Sequence, residues 1–304
     1  MQRRHIGSLE VSIVGLGGNN FGRRLDADAT ARVVHAALDA GVTFFDTAEL
    51  YGDGLSEQYL GRALRVRRRD AIIATKFGHK SAPRDRRGQP ANVRRAADAS
   101  LQRLGTDYID LFQLHSPDST TPIAETLGAL DELVRAGKVR EVGCSNFSVD
   151  QIREAEHAVQ PGHARSVSVQ NEYSLIHREP EADVLPECER RGLAFIPYFP
   201  LASGLLTGKY RKDRPVPKGT RLAEGNDTLS DENLSIVEEL VHFAESRKHT
   251  LLELSFAWLL AHPMVSSVIA GATKPEQIRA NAAAADWKLS AEERAAVDAL
   301  AVYS

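Results

Sequence analysis

Cysteine is nearly absent from this chain of 304 residues: it holds only Cys144 and Cys188, too few for a disulfide framework and in keeping with a reducing compartment. Neither has a close second cysteine to share a metal. Long apolar runs are also lacking. Stretches such as FAWLLA fall far short of a membrane span, and MQRRHIGSLEVS at the N-terminus has no apolar signal-peptide core. The expectation is a soluble, cytoplasmic protein with no membrane partner. Nor is there an excess of one charge. A formal net charge of -3 leaves no footprint for a polyanion, so nucleic acid is not an expected partner. The basic cluster Arg65, Arg67, Arg68 and Arg69 lies between a predicted helix and a predicted strand, where solvated loop charges are ordinary.

What is present is regular alternation. With 42% hydrophobic and 26% charged residues the chain can bury a large core. Strand-like runs recur from end to end: VSIVGLG, VTFFDTA, AIIATKFG, YIDLFQLH, VREVGCS, SVSVQNEY, LAFIPYF and VSSVIAGA. Between them lie segments of helical period, including ATARVVHAALDAG, ANVRRAADASLQRLG, PIAETLGALDELVRAGK and DENLSIVEELVHFAESRKH. Gly41, Gly105, Gly137 and Gly192 stand where helices should stop. About eight β-then-α units fill the length without a linker, which predicts an α/β fold, a single (β/α)8 TIM barrel over residues 1–304. MQRRHIGSLEVS is expected to form a hairpin turning at IGSL and capping the end opposite the active face. Ser290 with Glu293 forms a capping-box pattern for a last helix. Two long polar loops, HKSAPRDRRGQPAN and residues 211–230, are expected on the C-terminal face.

The run IVGLGGNNFG invites a competing reading as a dinucleotide fingerprint, with Asp46 closing the next strand as the ribose acid. The pattern G-x-G-x-x-G fails, however: counted from Gly15 its third glycine falls on Asn20, and from Gly17 its second falls on Asn19. A tight strand-to-loop exit explains the glycines without a ligand.

The predicted strands deliver polar side chains at their C-terminal ends: Asp46 with Tyr51 five positions on, Lys76, and His115. Any one of them has an ordinary structural use. In a barrel, neighbouring strand ends converge, so the four can share one pocket. Their chemistry would be proton transfer to a carbonyl oxygen. A tyrosine has an ordinary pKa near 10; a nearby lysine ammonium lowers it, and a carboxylate holds that lysine charged. His115 would polarise the substrate oxygen. No nucleophile-base pair and no metal-ligand spacing is apparent, so a hydride must come from a bound donor.

FFDTAELYG, IATKFG, DLFQLHSPD, GCSNFS, VQNEYS, IPYFPLASGLLTGKY and VIAGATKPEQIRANAAA, in this order over essentially the whole chain, resemble the successive motifs of the aldo-keto reductase superfamily. The resemblance implies a (β/α)8 barrel binding NADPH, with NADH as the alternative, and a small-molecule carbonyl substrate; the oligomeric state is not readable. It implies Asp46, Tyr51, Lys76 and His115 as a catalytic tetrad with Tyr51 as general acid. Gly18 and Asn19 would lie beside the cofactor, and Ser145, Asn146 and Gln170 would bind the nicotinamide carboxamide. Tyr198 would stack on the ring, and Leu201, Ser203 and Gly204 would follow the pyrophosphate. The sequence departs from many members at Phe199, where they have serine. It departs again where Gly271, Ala272 and Gln277 replace the usual lysine, serine and arginine of the 2'-phosphate loop. Lys274, Gln277, Arg279 and Asn281 remain there, at a predicted helix N-terminus suited to an anion, with Gly271 counted among the expected cofactor contacts. Channel-associated β subunits share this barrel and tetrad, so a nucleotide-sensing module with little turnover is the alternative function.

Overall fold

In a computed structural model, which describes residues 1–83, 87–224 and 228–301, the first two strands form the expected hairpin. β1 (Arg3–Ile6) and β2 (Leu9–Ser12) pair antiparallel with Ile6 opposite Leu9, leaving Gly7 and Ser8 as the turn. Gly7 has φ 55°, a left-handed conformation that glycine adopts without penalty. VSIVGLG is thus two strands rather than one. Ser12 Oγ donates to Val14 O at 2.7 Å and accepts from Thr43 N at 2.9 Å, a side-chain switch that ends the hairpin and starts β3 (Val14–Gly17).

The barrel strands are β3, β4 (Phe44–Asp46), β5 (Ile72–Phe77), β6 (Ile109–Leu114), β7 (Val139–Ser145), β8 (Ser166–Glu172), β9 (Ala194–Tyr198) and β10 (Val268–Gly271). All pair in parallel in the order β10-β3-β4-β5-β6-β7-β8-β9. The ring closes where Phe195 N–H donates to Met264 O at 2.7 Å and Ser266 N–H donates to Phe195 O at 3.0 Å. A (β/α)8 barrel, as predicted from the alternation, is what forms, and the two-halved dinucleotide fold is excluded.

Strand alternation sorts the core into two layers. Phe44, Ala74, Leu111, Ala194, Ile196 and Ile269 fill the barrel, and Ile6, Leu9 and Val11 of the hairpin join them as a plug. The Arg4 guanidinium locks that plug by donating to the carbonyls of Leu260, His262 and Val265, ahead of β10. A second layer, including Val14, Leu16, Ile73 and Phe112, faces the helices.

The helices are α1 (Ala27–Asp39), α2 (Leu55–Leu64), α3 (Pro90–Leu104), α4 (Ile123–Arg135), α5 (Val149–Ala158), α6 (Val184–Arg191), α7 (Asp231–Ser246), α8 (Leu251–Leu260), α9 (Pro275–Ala284) and α10 (Ala291–Leu300). Gly105 and Gly192 cap α3 and α6 with φ 63° and 65°, as their positions suggested. At α10 both halves of the capping box form, Glu293 N–H to Ser290 Oγ and Ser290 N–H to Glu293 Oε2. No helix among the described residues is long and apolar enough to cross a membrane. Positions 84–86 and 225–227, inside the two long loops, lie outside the described residues.

Candidate active site

Because Phe44, Ala74 and Leu111 point into the barrel, the residues two and four positions on from each must do so too. Two positions on, Asp46 and Lys76 lie inward at the C-terminal ends of β4 and β5; four positions on from Leu111, His115 lies inward just past β6. Lys76 Nζ lies 2.6 Å from Asp46 Oδ2 and donates to Thr47 O at 3.0 Å. The second carboxylate oxygen, Asp46 Oδ1, accepts from Gln170 Nε2 at 2.9 Å. Both oxygens of the carboxylate are therefore used, and its orientation is fixed.

Tyr51 opens a 3-10 turn (Tyr51–Gly54) in which Gly52, Asp53 and Gly54 all have positive φ. A side chain at Gly52 would come within 2.9 Å of Phe21 O, so only glycine lets this turn press against the preceding loop. The turn puts the Tyr51 ring 5.2 Å from Lys76 Nζ and edge-on to the His115 ring, centroids 6.0 Å apart. All four residues of the expected tetrad thus meet at one place.

Their electrostatics follow from burial. Burial opposes the Lys76 ammonium, but Asp46 and Tyr51 outweigh it and hold the lysine above its ordinary value. For Tyr51 the sequence suggested a lowered pKa. Burial of the phenol is the larger influence, so despite the pull of Lys76 the balance is upward. The phenol stays protonated at neutral pH. Burial, then Lys76 and His79, push His115 down to about 2, so this imidazole is neutral. Its Nδ1 has no hydrogen-bond partner among the described residues.

Beside the tetrad the ends of β7, β8 and β9 are knitted together. Ser145 Oγ donates to Gln170 O at 2.7 Å, and Asn146 N–H donates to the same oxygen at 3.0 Å. Asn146, at φ 63°, donates from Nδ2 to His115 O at 2.8 Å and accepts at Oδ1 from the Tyr198 hydroxyl at 2.8 Å. Gln170 thus spends its Nε2 on Asp46, leaving its Oε1 as the acceptor for a ligand amide. Burial first, then Glu172 and Tyr51, push the Tyr198 phenol up to about 12.

These residues open into a cavity of about 1590 Å³, which Asn19, Leu201, Ser203, Gly204, Gly271, Lys274 and Gln277 also line. Gly18 does not line it: its N–H donates to Asp46 O at 2.7 Å, and a side chain there would meet Ser56 Oγ at 2.9 Å, so it lies beneath the floor. Asn281, 4% exposed on α9, is likewise not among the lining residues. Gln277 Oε1 accepts from Thr273 N at 2.7 Å and Lys274 N at 3.2 Å, closing the α9 N-terminus; only its amide nitrogen is left for a ligand. Phe199, Ala202, Ser203 and Gly204 all have positive φ, an irregular turn wrapped along one cavity wall.

The structure also brings in cations that the sequence reading left out. Arg23, Arg24, Lys209 and Arg221 line the cavity together with Lys274. Arg221 stands 5.1 Å over the Phe199 ring, and burial followed by the charges of Arg24 and Arg23 lowers its pKa. Lys209 sits in the quoted LLTGKY motif, but loops far apart in sequence gather the arginines and no local spacing signals them. His79 and Lys80, from the loop after β5, also line the cavity. Among the described residues no group of three or more His, Cys, Asp or Glu could hold a metal.

A model of the Aldo/keto reductase family matches residues 13–302. A protein described as a probable voltage-gated potassium channel subunit beta of Arabidopsis thaliana is 36% identical over 301 residues, 94% of this chain and 92% of that one. Aldo-keto reductase YhdN of Bacillus subtilis (strain 168) is 35% identical over 299 residues, 94% of this chain and 88% of its own. Among solved structures, the glycerol dehydrogenase AKR11B4 from Gluconobacter oxydans superposes with a TM-score of 0.85 at 31% identity, covering 98% of this chain and 94% of that one. The aldo-keto reductase AKR11C1 from Bacillus halodurans, in its holo form, gives a TM-score of 0.82 at 33% identity, with 99% and 96% covered.

Proposed function

Because the chain belongs to the aldo/keto reductase family, we propose that it is an NADPH-dependent carbonyl reductase in which Tyr51 is the general acid. The observation that carries this reading is the meeting of a protonated phenol, a neutral imidazole and a buried ammonium-carboxylate pair at the floor of one cavity.

The residues present suit a nicotinamide dinucleotide. Gln170 Oε1 and the Ser145–Asn146 rim face where a carboxamide would sit, and Tyr198 offers a ring face beside them. Arg23, Arg24, Lys209, Arg221 and Lys274 have no acidic partner among the described residues, which suits the phosphates. That cluster supports NADPH over NADH, despite Gly271, Ala272 and Gln277 in the loop ahead of α9. Bound there, the nicotinamide supplies a hydride.

His115 and Tyr51 would hold the carbonyl oxygen by hydrogen bonds, fixing the face that receives the hydride. As the carbon accepts the hydride pair, Tyr51 Oη–H gives its proton to the oxygen, yielding the alcohol. The phenolate left behind faces the Lys76 ammonium, which Asp46 keeps charged and oriented. In the oxidative direction Tyr51 takes the proton back.

Purified protein should oxidise NADPH only when an aldehyde or ketone is added, and NADH less efficiently. A second reading, a nucleotide-sensing module with little turnover, draws on the likeness to the channel β subunit. Tight NADPH binding without turnover on any carbonyl would favour it, and binding of neither nucleotide would sink both.

A further inference from the structure

The barrel interior holds a polar side chain that the proposed reaction does not use. Gln113 on β6 stands two positions after Leu111 and two before His115, so it faces inward, and its Cα partner on β5 is Lys76. It is fully buried, and neither its Nε2 nor its Oε1 has a hydrogen-bond partner among the described residues. Ser168 on β8 is fully buried as well, and its Oγ is equally unpartnered. Gly143 on β7 brings the two together. Its Cα partner is Gln113, and a Cβ built on it would lie 3.3 Å from Gln113 Cγ and closer still to Ser168 Oγ. A bulge makes this fit: Val142 pairs with Ser166 but Cys144 with Val169, so Gly143 faces two residues of β8, and Ser168 is one of them. Hydroxyl and amide stem thus crowd one bare position, near enough for a single small molecule to span them.

Buried polar atoms are held by a partner, because desolvating them without one is costly. We infer that Gln113 and Ser168 bind one ordered water inside the barrel, beside Lys76 and on the core side of His115. An amide offers a donor and an acceptor, and a hydroxyl offers either, so water matches the pair whichever way the amide is turned. Ser168 O, 3.2 Å from the same bare position, offers the third contact that buried waters usually have. The water is part of the floor and not a proton relay. Lys76 Nζ already donates to Asp46 Oδ2 and to Thr47 O and engages the Tyr51 phenol, which leaves it no proton to share. The site is therefore independent of the reaction assigned to the tetrad.

The test is a pair of high-resolution crystal structures, of the wild type and of Ser168→Ala. The wild-type map is expected to show one fully occupied water at about 2.7–3.2 Å from both the Gln113 amide and Ser168 Oγ. In Ser168→Ala, with one of its partners gone, that water is expected to vanish or to fall to partial occupancy. If Ser168→Ala does not fold, Gln113→Leu, which removes both amide atoms, serves in its place with the same expectation. A Gln113 amide bonded directly to a protein group, with no density between it and Ser168 Oγ, would overturn the inference. So would a water that keeps its place and full occupancy in the variant, since other groups would then be holding it.

Discussion

Lys76 Nζ sits 2.6 Å from Asp46 Oδ2 with 1% and 3% of the two side chains exposed, so each charge depends on the other rather than on water. Removing one member of such a pair leaves an uncompensated buried charge, at a cost of about 3–5 kcal/mol. Asp46→Asn should therefore lower the urea midpoint of unfolding substantially, while reducing turnover far more than NADPH affinity. A variant that loses NADPH binding but keeps its stability would instead place Asp46 on the cofactor.

Neither proton-bearing group of the site should titrate in the working range. His115 is neutral down to about 2, and Tyr51 keeps its proton above the ordinary phenol value. Reductive kcat should be flat between about pH 6 and about pH 9. A step near the ordinary histidine value would contradict this assignment.

Stability should respond to acid even though kcat does not. His115 is depressed to about 2 and His262 to about 4, whereas both titrate near 6.5 when unfolded. Below about pH 6.5 the unfolded chain binds protons that the folded chain refuses, so stability is complete above that pH and falls below it. Each histidine contributes up to about 1.4 kcal/mol per pH unit. The His262 part ends near pH 4, so His262→Gln should flatten the profile of urea midpoint against pH above that point and leave the remainder.

Arg221 separates the two cofactors if the cation cluster reads the extra phosphate. Arg221→Ala should weaken NADPH binding roughly tenfold or more, the scale of a lost charged hydrogen bond, and NADH binding much less. Fluorescence titration with each nucleotide checks it, and equal losses would assign Arg221 to the shared pyrophosphate.

Gly61 marks the α2–α3 crossing, where an added Cβ would lie 2.1 Å from Leu104 O. Because the obstacle is backbone, Gly61→Val should cost about 1–3 kcal/mol or more by overpacking, read as a lower melting temperature with cofactor affinity retained.

The barrel was legible because strand-like apolar runs and helical segments alternate without interruption, and because Gly105, Gly192 and Ser290 punctuate helices by simple backbone chemistry. The meeting of Asp46, Tyr51, Lys76 and His115 was legible because neighbouring strand ends in a barrel converge. VSIVGLG hid its break because both halves are apolar and only the Ser12 hydroxyl switches partners there. The direction of the Tyr51 shift was not legible, since charge neighbours can be guessed from position but depth of burial cannot. Arg23, Arg24, Arg221 and His79 stayed hidden for another reason: loops set their places, and the loops follow no period.

The most direct measurement compares Tyr51→Phe with the wild type in carbonyl-dependent NADPH oxidation and, separately, in NADPH affinity. The substitution removes one hydroxyl and keeps the ring that packs against Lys76 and His115. Loss of the general acid should cut kcat by roughly 10²- to 10⁴-fold with affinity within a few-fold of wild type. Near-normal turnover in Tyr51→Phe would contradict the central claim, because the proton would then have to come from elsewhere.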